Sequence, residues 1–155
     1  MGWFHSKRAI WSQFLRLSWS ERAVVIETLL LLPLVLVAQK LLGFNRCRAI
    51  LERLGTRVGS SRRGASDVLT EARATSRLFD RGARHCPCRT SCTHRSLVLW
   101  WLLRRRGITS QLWIGVQKEA NRFQAHAWVE CLGHVLNDPD RLHRQFAPFP
   151  RPLLV

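Results

Sequence analysis

Residues 92–106, CTHRSLVLWWLLRRR, restrict the fold more than any other part of this chain. Their centre is apolar nearly all round, which a helix sustains only when neighbours cover it on every side. Gly107 stands at the stop position, and Arg104 to Arg106 suit the negative end of the helix dipole. The period then changes from helical to two. In 109–117, Leu112, Ile114 and Val116 alternate with Trp113 and Gly115. In 123–131, Phe123, Ala125, Ala127 and Val129 take one face, and Gln124, His126, Trp128 and Glu130 the other. A short third strand over 134–138 follows Leu132-Gly133. A buried helix followed by an antiparallel sheet gives an α+β fold.

The front of the chain is Leu-rich and helical. Ser18 offers a cap for a helix beginning near Glu21, which Pro33 is expected to kink or end near Leu32. A second helix is expected over 41–54, stopping at Gly55, with a linker or exposed turn at 56–65. A short amphipathic helix over 67–79 and a loop over 80–91 follow. The chain thus divides near residue 60, into an N-terminal helical region (1–60) and a core (61–155). Residues 139–155 hold four of the six prolines and are expected to cross the surface without regular structure. The most hydrophobic stretch, 23–38, contains Glu27 and Pro33, and its uninterrupted ten residues fall short of the roughly 20 that span a bilayer. It reads as a buried or interfacial helix. Trp3, Phe4, Trp11 and Trp19, with nearby arginines, could hold this end at a membrane surface or equally cap the core. The N-terminus shows no continuous apolar signal region.

A hydrophobic share of 46% over 155 residues supports a real core. The net charge is +15, from 22 Arg and only 3 Lys among its cations. Such a balance fits a polyanionic, acidic-peptide or membrane-surface partner, or merely a coding preference for Arg. No helix-turn-helix or RNA-binding signature accompanies it, so no specific nucleic-acid partner is expected. Arg62-Arg63, Arg81 with Arg84, and Arg104 to Arg106 are the clusters open to an acidic or anionic partner; each also reads as a solvated helix end or loop. Five cysteines are an odd number, which argues for reduced thiols in a cytoplasm. Cys86, Cys88 and Cys92, flanked by His85 and His94, match zinc-ligand spacing poorly, so no metal and no cofactor is expected. Cys86 and Cys88 read as bystanders prone to a disulfide with Cys92 on oxidation.

Cys92 heads the buried helix, where free amide N–H groups and the helix dipole favour a thiolate nucleophile. Such a thiol needs a base, and the base an orienting group. His126 and Asp138 are the candidates. A two-residue turn at Leu132-Gly133 would pair His126 with Pro139 and face Asp138 the wrong way. A three-residue loop over 131–133 would set Asp138 opposite His126, and Gly133 suits its last position. The three-residue register is therefore expected. Gln124, on the face of His126, is a weak candidate for an oxyanion donor. Trp100, Trp101, Trp113 and Trp128 read as core rather than pocket.

The ordered segments CTHRSLVLWWLLRRRGI, LWIGV, AHAWVE and VLND resemble the core of the lasso-peptide B proteins, the transglutaminase-like leader peptidases of lasso-peptide biosynthesis. The resemblance covers 92–138, and the Leu-rich front is similar to the less specific start of that family. It implies a transglutaminase/papain-like cysteine-protease core with Cys92 as nucleophile, His126 as base and Asp138 as third member. It further implies leader removal from a ribosomally made precursor. The chain begins directly with the Leu-rich helices, which is similar to the split form of the family. That form works with a separate small leader-recognition protein and an ATP-dependent cyclase. The same triad serves acyl transfer to an amine, as in transglutaminases; a basic zinc- or nucleic-acid-binding protein is the other alternative.

Overall fold

A computed structural model of the chain describes residues 17–55, 64–119, 122–138 and 142–155. The expectations for Trp3, Phe4, Trp11, Arg62, Arg63, Pro139 and most of the 56–65 linker lie outside the described residues. Four helices come first: α1 (Trp19–Leu42), α2 (Phe44–Leu54), α3 (Ala65–His85) and α4 (Cys92–Arg105). Strands β1 (Gln111–Glu119), β2 (Arg122–Cys131) and β3 (His134–Val135) follow, then a 3-10 turn (Leu142–Gln145) and β4 (Ala147–Pro148). The sheet is antiparallel, in the order β3-β2-β1-β4, so the fold is α+β.

α4 is the axle of the molecule. Every residue from Ser96 to Leu103 is buried, as its all-round apolar pattern requires. Around it one continuous core collects Leu32 and Val35 of α1, Cys47 and Leu51 of α2, Phe79 of α3, and Leu112 and Val129 of the sheet. The core is therefore continuous across residue 60. Each such large side chain contributes about 1.5–3 kcal/mol on leaving water. Asp80 of α3 ties to Arg95 of α4 at 2.8 Å. Burial pushes the Asp80 carboxyl up, and the Arg95 charge pulls against it.

Three helix boundaries differ from the pattern-based ones. α1 does not end at Leu32: it runs unbroken through Pro33. The ring deletes one backbone bond, but both halves are held by packing, Val24, Val25 and Thr28 before the proline and Leu32 and Val35 after it. At 24 residues α1 is long and apolar enough to cross a membrane by length and composition, yet less than a third of its apolar window is buried. α2 starts at Phe44 rather than near Leu41, because Gly43 takes φ 78° and breaks the helix there. α3 continues past Phe79 to His85. Gly82 costs about 1 kcal/mol in a helix interior, but it lets α1 approach. A Cβ at this position would lie 3.0 Å from Cβ and Cγ2 of Thr28.

The C-terminal segment is also more ordered than its prolines suggest. It adds β4 to the edge of β1 and then follows β1 further. Phe149 N–H donates to Ile114 at 3.0 Å, Leu153 N–H to Leu112 at 2.7 Å, and Leu112 N–H to Leu154 at 2.9 Å. Proline is tolerated here because an edge strand needs donors on one side only. Arg104 to Arg106 serve the fold. Arg104 donates to Gly55 O and Val155 O, and Arg106 and Arg105 pair with Glu27 at 3.1 and 3.8 Å. Cys86 and Cys88 are joined to each other by a disulfide, in place of the reduced thiols or the link to Cys92 expected from sequence.

Candidate active site

The start of α4 is built by a reciprocal cap. His94 N–H donates to Ser91 Oγ at 3.4 Å, and Ser91 N–H donates back to His94 Nδ1 at 3.1 Å. His94 thus takes the part a glutamate usually plays in a capping box. This sets Cys92 as the first residue of the helix. Nδ1 must stay unprotonated to accept. Burial, then the Lys40 charge, lowers the His94 pKa below its ordinary value of 6.5. A depressed histidine contributes stability that is present above the unfolded value and lost as pH falls through the folded one. Thermal unfolding of the wild type is therefore expected to weaken below about pH 6.5. His94→Glu, which keeps the cap without that titration, is expected to flatten this part of the profile. An unchanged slope in the variant would remove His94 as its source.

The first turn of α4 lies along β2. Cys92 Sγ is 4.0 Å from Ala125 O, and Ser96 Oγ donates to Ala127 O at 2.9 Å. Four residues of helix rise about 6.0 Å and two of strand about 6.8 Å, so the two contacts run in step. The carbonyls they meet bracket His126. This brings the half-buried thiol to the strand position of the imidazole. Among the free thiols, Cys47 and Cys131 are buried, and burial pushes both up.

His126 sits with its side chain 15% exposed and its Nε2 buried without a hydrogen-bond partner, 3.7 Å from Asp138 Oδ2. Its ring packs against Phe146 and Trp128, with centroids 5.3 and 6.1 Å away. Gly115 pairs directly with His126 across the β1–β2 ladder. A Cβ at Gly115 would meet Phe146 Cβ at 2.8 Å and the Trp128 ring at 3.0 Å. The missing side chain is what lets those two rings close over this part of the sheet. Alternation marked Gly115 only as a strand position; the close approach explains its identity.

Asp138 arrives by a route that overturns the expected register. Cys131 pairs with His134 and Glu130 with Val135, which is the two-residue turn, not the three-residue loop. Leu132 and Gly133 take φ 50° and 75°, the double positive φ of a type I′ turn, so Leu132 occupies a conformation few side chains accept. Continued pairing would have faced Asp138 away. The ladder instead stops after Leu136, whose N–H donates to Val129 O at 2.9 Å. Asn137 replaces the next rung with its side chain. Its Oδ1 accepts from Val129 N–H and its Nδ2 donates to Ser96 Oγ, both at 2.8 Å. The backbone leaves the strand there, and Asp138 turns back toward His126.

Two residues of this site were not singled out from sequence: Asn137 and His143. His143, in the 3-10 turn, donates its backbone N–H to Asp138 Oδ2 at 2.6 Å, and its Nδ1 lies 2.6 Å from the same oxygen. Burial pushes the Asp138 carboxyl up, but these bonds, the Leu142 amide and the His126 charge outweigh it and hold the group below the usual range. The only signal available was a histidine five residues beyond the aspartate in a proline-rich segment.

Of the remaining candidates, Trp128 touches the site through the His126 ring. Gln124 is exposed, across from Gln117. Trp100, Trp101 and Trp128 are core, while Trp113 is half-buried. Among the described residues, no group of three or more His, Cys, Asp or Glu side chains is placed to hold a metal ion. The family model for the transglutaminase-like superfamily matches residues 34–151. No curated protein and no solved structure matches the chain.

Proposed function

The chain belongs to the transglutaminase-like superfamily, typically cysteine proteases and acyltransferases, and on that footing we propose that it removes the leader peptide from a lasso-peptide precursor. Cys92, His126 and Asp138 are its triad, and a separate leader-recognition protein and an ATP-dependent cyclase are its partners. The observation that carries this reading is the approach of Cys92 Sγ to the strand residue preceding His126, with the His126 Nε2 turned toward Asp138. The ordered likeness of 92–138 to the lasso-peptide B proteins supports the substrate class. Such a reaction belongs in the cytoplasm, where precursor and ATP meet.

In the proposed mechanism Cys92 gives its proton to His126 and attacks the carbonyl at the leader–core junction. The Cys92 and Thr93 amides, at the first positions of α4, have no acceptor within the helix and are free to donate to a developing oxyanion. Collapse breaks the peptide bond. His126 returns the proton to the leaving amine, and the leader remains as a thioester on Cys92. Water, deprotonated by His126, hydrolyses it. Asp138 holds the imidazole orientation and stabilises its cation.

The test combines the protein with its precursor and recognition protein and follows the masses. Release of a leader ending in a free carboxylate, with a core bearing a free amine, is the expected result. A leader joined to an added amine assigns acyl transfer instead, and an intact precursor overturns the reading. Within the same assay His143 is expected to act as a positioning residue through Asp138. His143→Ala removes a hydrogen bond to a carboxylate, so kcat is expected to fall about tenfold. KM should hold, and the acidic limb of the rate profile should move up as Asp138 loses a bond that favours its charge. His143→Asn, which keeps a donor at that distance, should restore most of the rate. Equal rates for all three would assign the bond to folding alone.

A further inference from the structure

One face of α1 is left uncovered by the rest of the described chain. Trp19, Ile26, Leu30, Leu34, Val37 and Leu41 are all exposed, from 48% at Ile26 to 84% at Trp19. At 100° per residue they share an arc of about 80° and form a stripe about 33 Å long. No charged residue falls inside the arc; Glu27, at its edge, is bound to Arg105 and Arg106. An apolar strip of this length is larger than the scattered apolar residues a soluble surface normally carries. The opposite face is committed to the fold, through Val24, Val25, Thr28, Leu32 and Val35 and the close approach of Gly82. Crossing a bilayer would tear these contacts away, so the helix can meet lipid only along its side.

We propose that α1 docks by this stripe in the plane of an anionic bilayer. The middle of the stripe is purely aliphatic, whereas protein interfaces centre on aromatic and arginine anchors with hydrogen-bonded rims. Its ends carry the groups that hold a helix at a lipid–water boundary. At one end the Arg22 guanidinium lies 5.0 Å over the Trp19 ring, and at the other stands exposed Lys40. The chain's charge of +15 complements anionic headgroups, and the residues before α1 add Trp3, Phe4, Lys7 and Trp11 to the same end of the sequence. The inference does not depend on the reaction proposed above.

Sedimentation of the full chain with vesicles tests it. Binding is expected to phosphatidylcholine vesicles containing phosphatidylglycerol, and to weaken on phosphatidylcholine alone and at high salt. The triple variant Leu30→Gln, Leu34→Gln, Leu41→Gln removes three exposed apolar groups and should bind at least about a hundredfold less, with its thermal unfolding unchanged. A wild type that stays in the supernatant overturns the proposal. So does a triple variant that binds undiminished, since basic charge alone then suffices. A wild-type dimer that the triple substitution dissociates overturns it too, by assigning the stripe to a second copy of the chain.

Discussion

Alanine at Cys92 is expected to lower the rate of leader release by at least about 10⁴-fold, because no thioester can then form and only binding and oxyanion contacts remain. His126→Ala should lose a comparable factor, since the thiol then lacks its proton acceptor. The double variant should fall little further, because the two residues act as one unit and their losses do not add. Asp138→Asn should cost less, as it leaves both reacting groups in place and disturbs only the imidazole's orientation. Cys92 is half-buried at a helix start, so Cys92→Ala should unfold at the wild-type temperature and the lost rate cannot be laid to folding. Alkylation gives an independent reading. Cys92 should be the thiol modified in the folded protein, because Cys47 and Cys131 are buried and burial keeps their thiols protonated. Leader release that survives in Cys92→Ala, or alkylation of the other two with Cys92 spared, would sink the assignment of the nucleophile.

Much of the site's framework was legible because it is written in local patterns. The all-round apolar run after Cys92 required a buried helix. Alternation at 109–117 and 123–131 required strands, which the structure places at Gln111–Glu119 and Arg122–Cys131. What stayed hidden depends on contacts distant in sequence or on one residue standing in for another. Pro33 says stop, yet packing on both sides carries α1 through it. Gly82 says weak helix, yet Thr28 needs its small size. Unbroken pairing from a two-residue turn says Asp138 faces away, and that misdirected the register, since only the Asn137 side chain, in the place of a backbone rung, reconciles such a turn with an Asp138 that faces His126. The prolines at 148, 150 and 152 say no strand, but an edge position removes the objection. His143 carries no pattern at all: its part follows from the 3-10 turn that folds it back on Asp138.

Asn137 is accordingly expected to couple stability to activity. Its amide joins three groups: the Val129 amide in the sheet, the Ser96 hydroxyl on the nucleophile's helix, and through the backbone Asp138 itself. Val129 and Ser96 are both fully buried. Asn137→Ala leaves the Val129 N–H without its partner and takes one of two bonds from the Ser96 hydroxyl, which keeps Ala127 O. At about 1–3 kcal/mol for the stranded donor and about 1 kcal/mol for the lost hydroxyl bond, the variant should lose about 2–4 kcal/mol of unfolding free energy. It should also lose rate, as Asp138 is no longer turned back toward the imidazole. Ser96→Ala strands the Asn137 amide and Ala127 O, so its cost should be similar. Because the two substitutions break one shared bond, the double variant should be more stable than the sum of the singles predicts, by at least about 1 kcal/mol. Asn137→Asp separates the two halves of the role. It keeps an acceptor for Val129 but loses the donor to Ser96, so denaturant unfolding should place it between wild type and Asn137→Ala. Strict additivity of Asn137→Ala with Ser96→Ala would mean that the bridge from sheet to helix does not hold in solution. The route by which Asp138 reaches His126 would then need another cause.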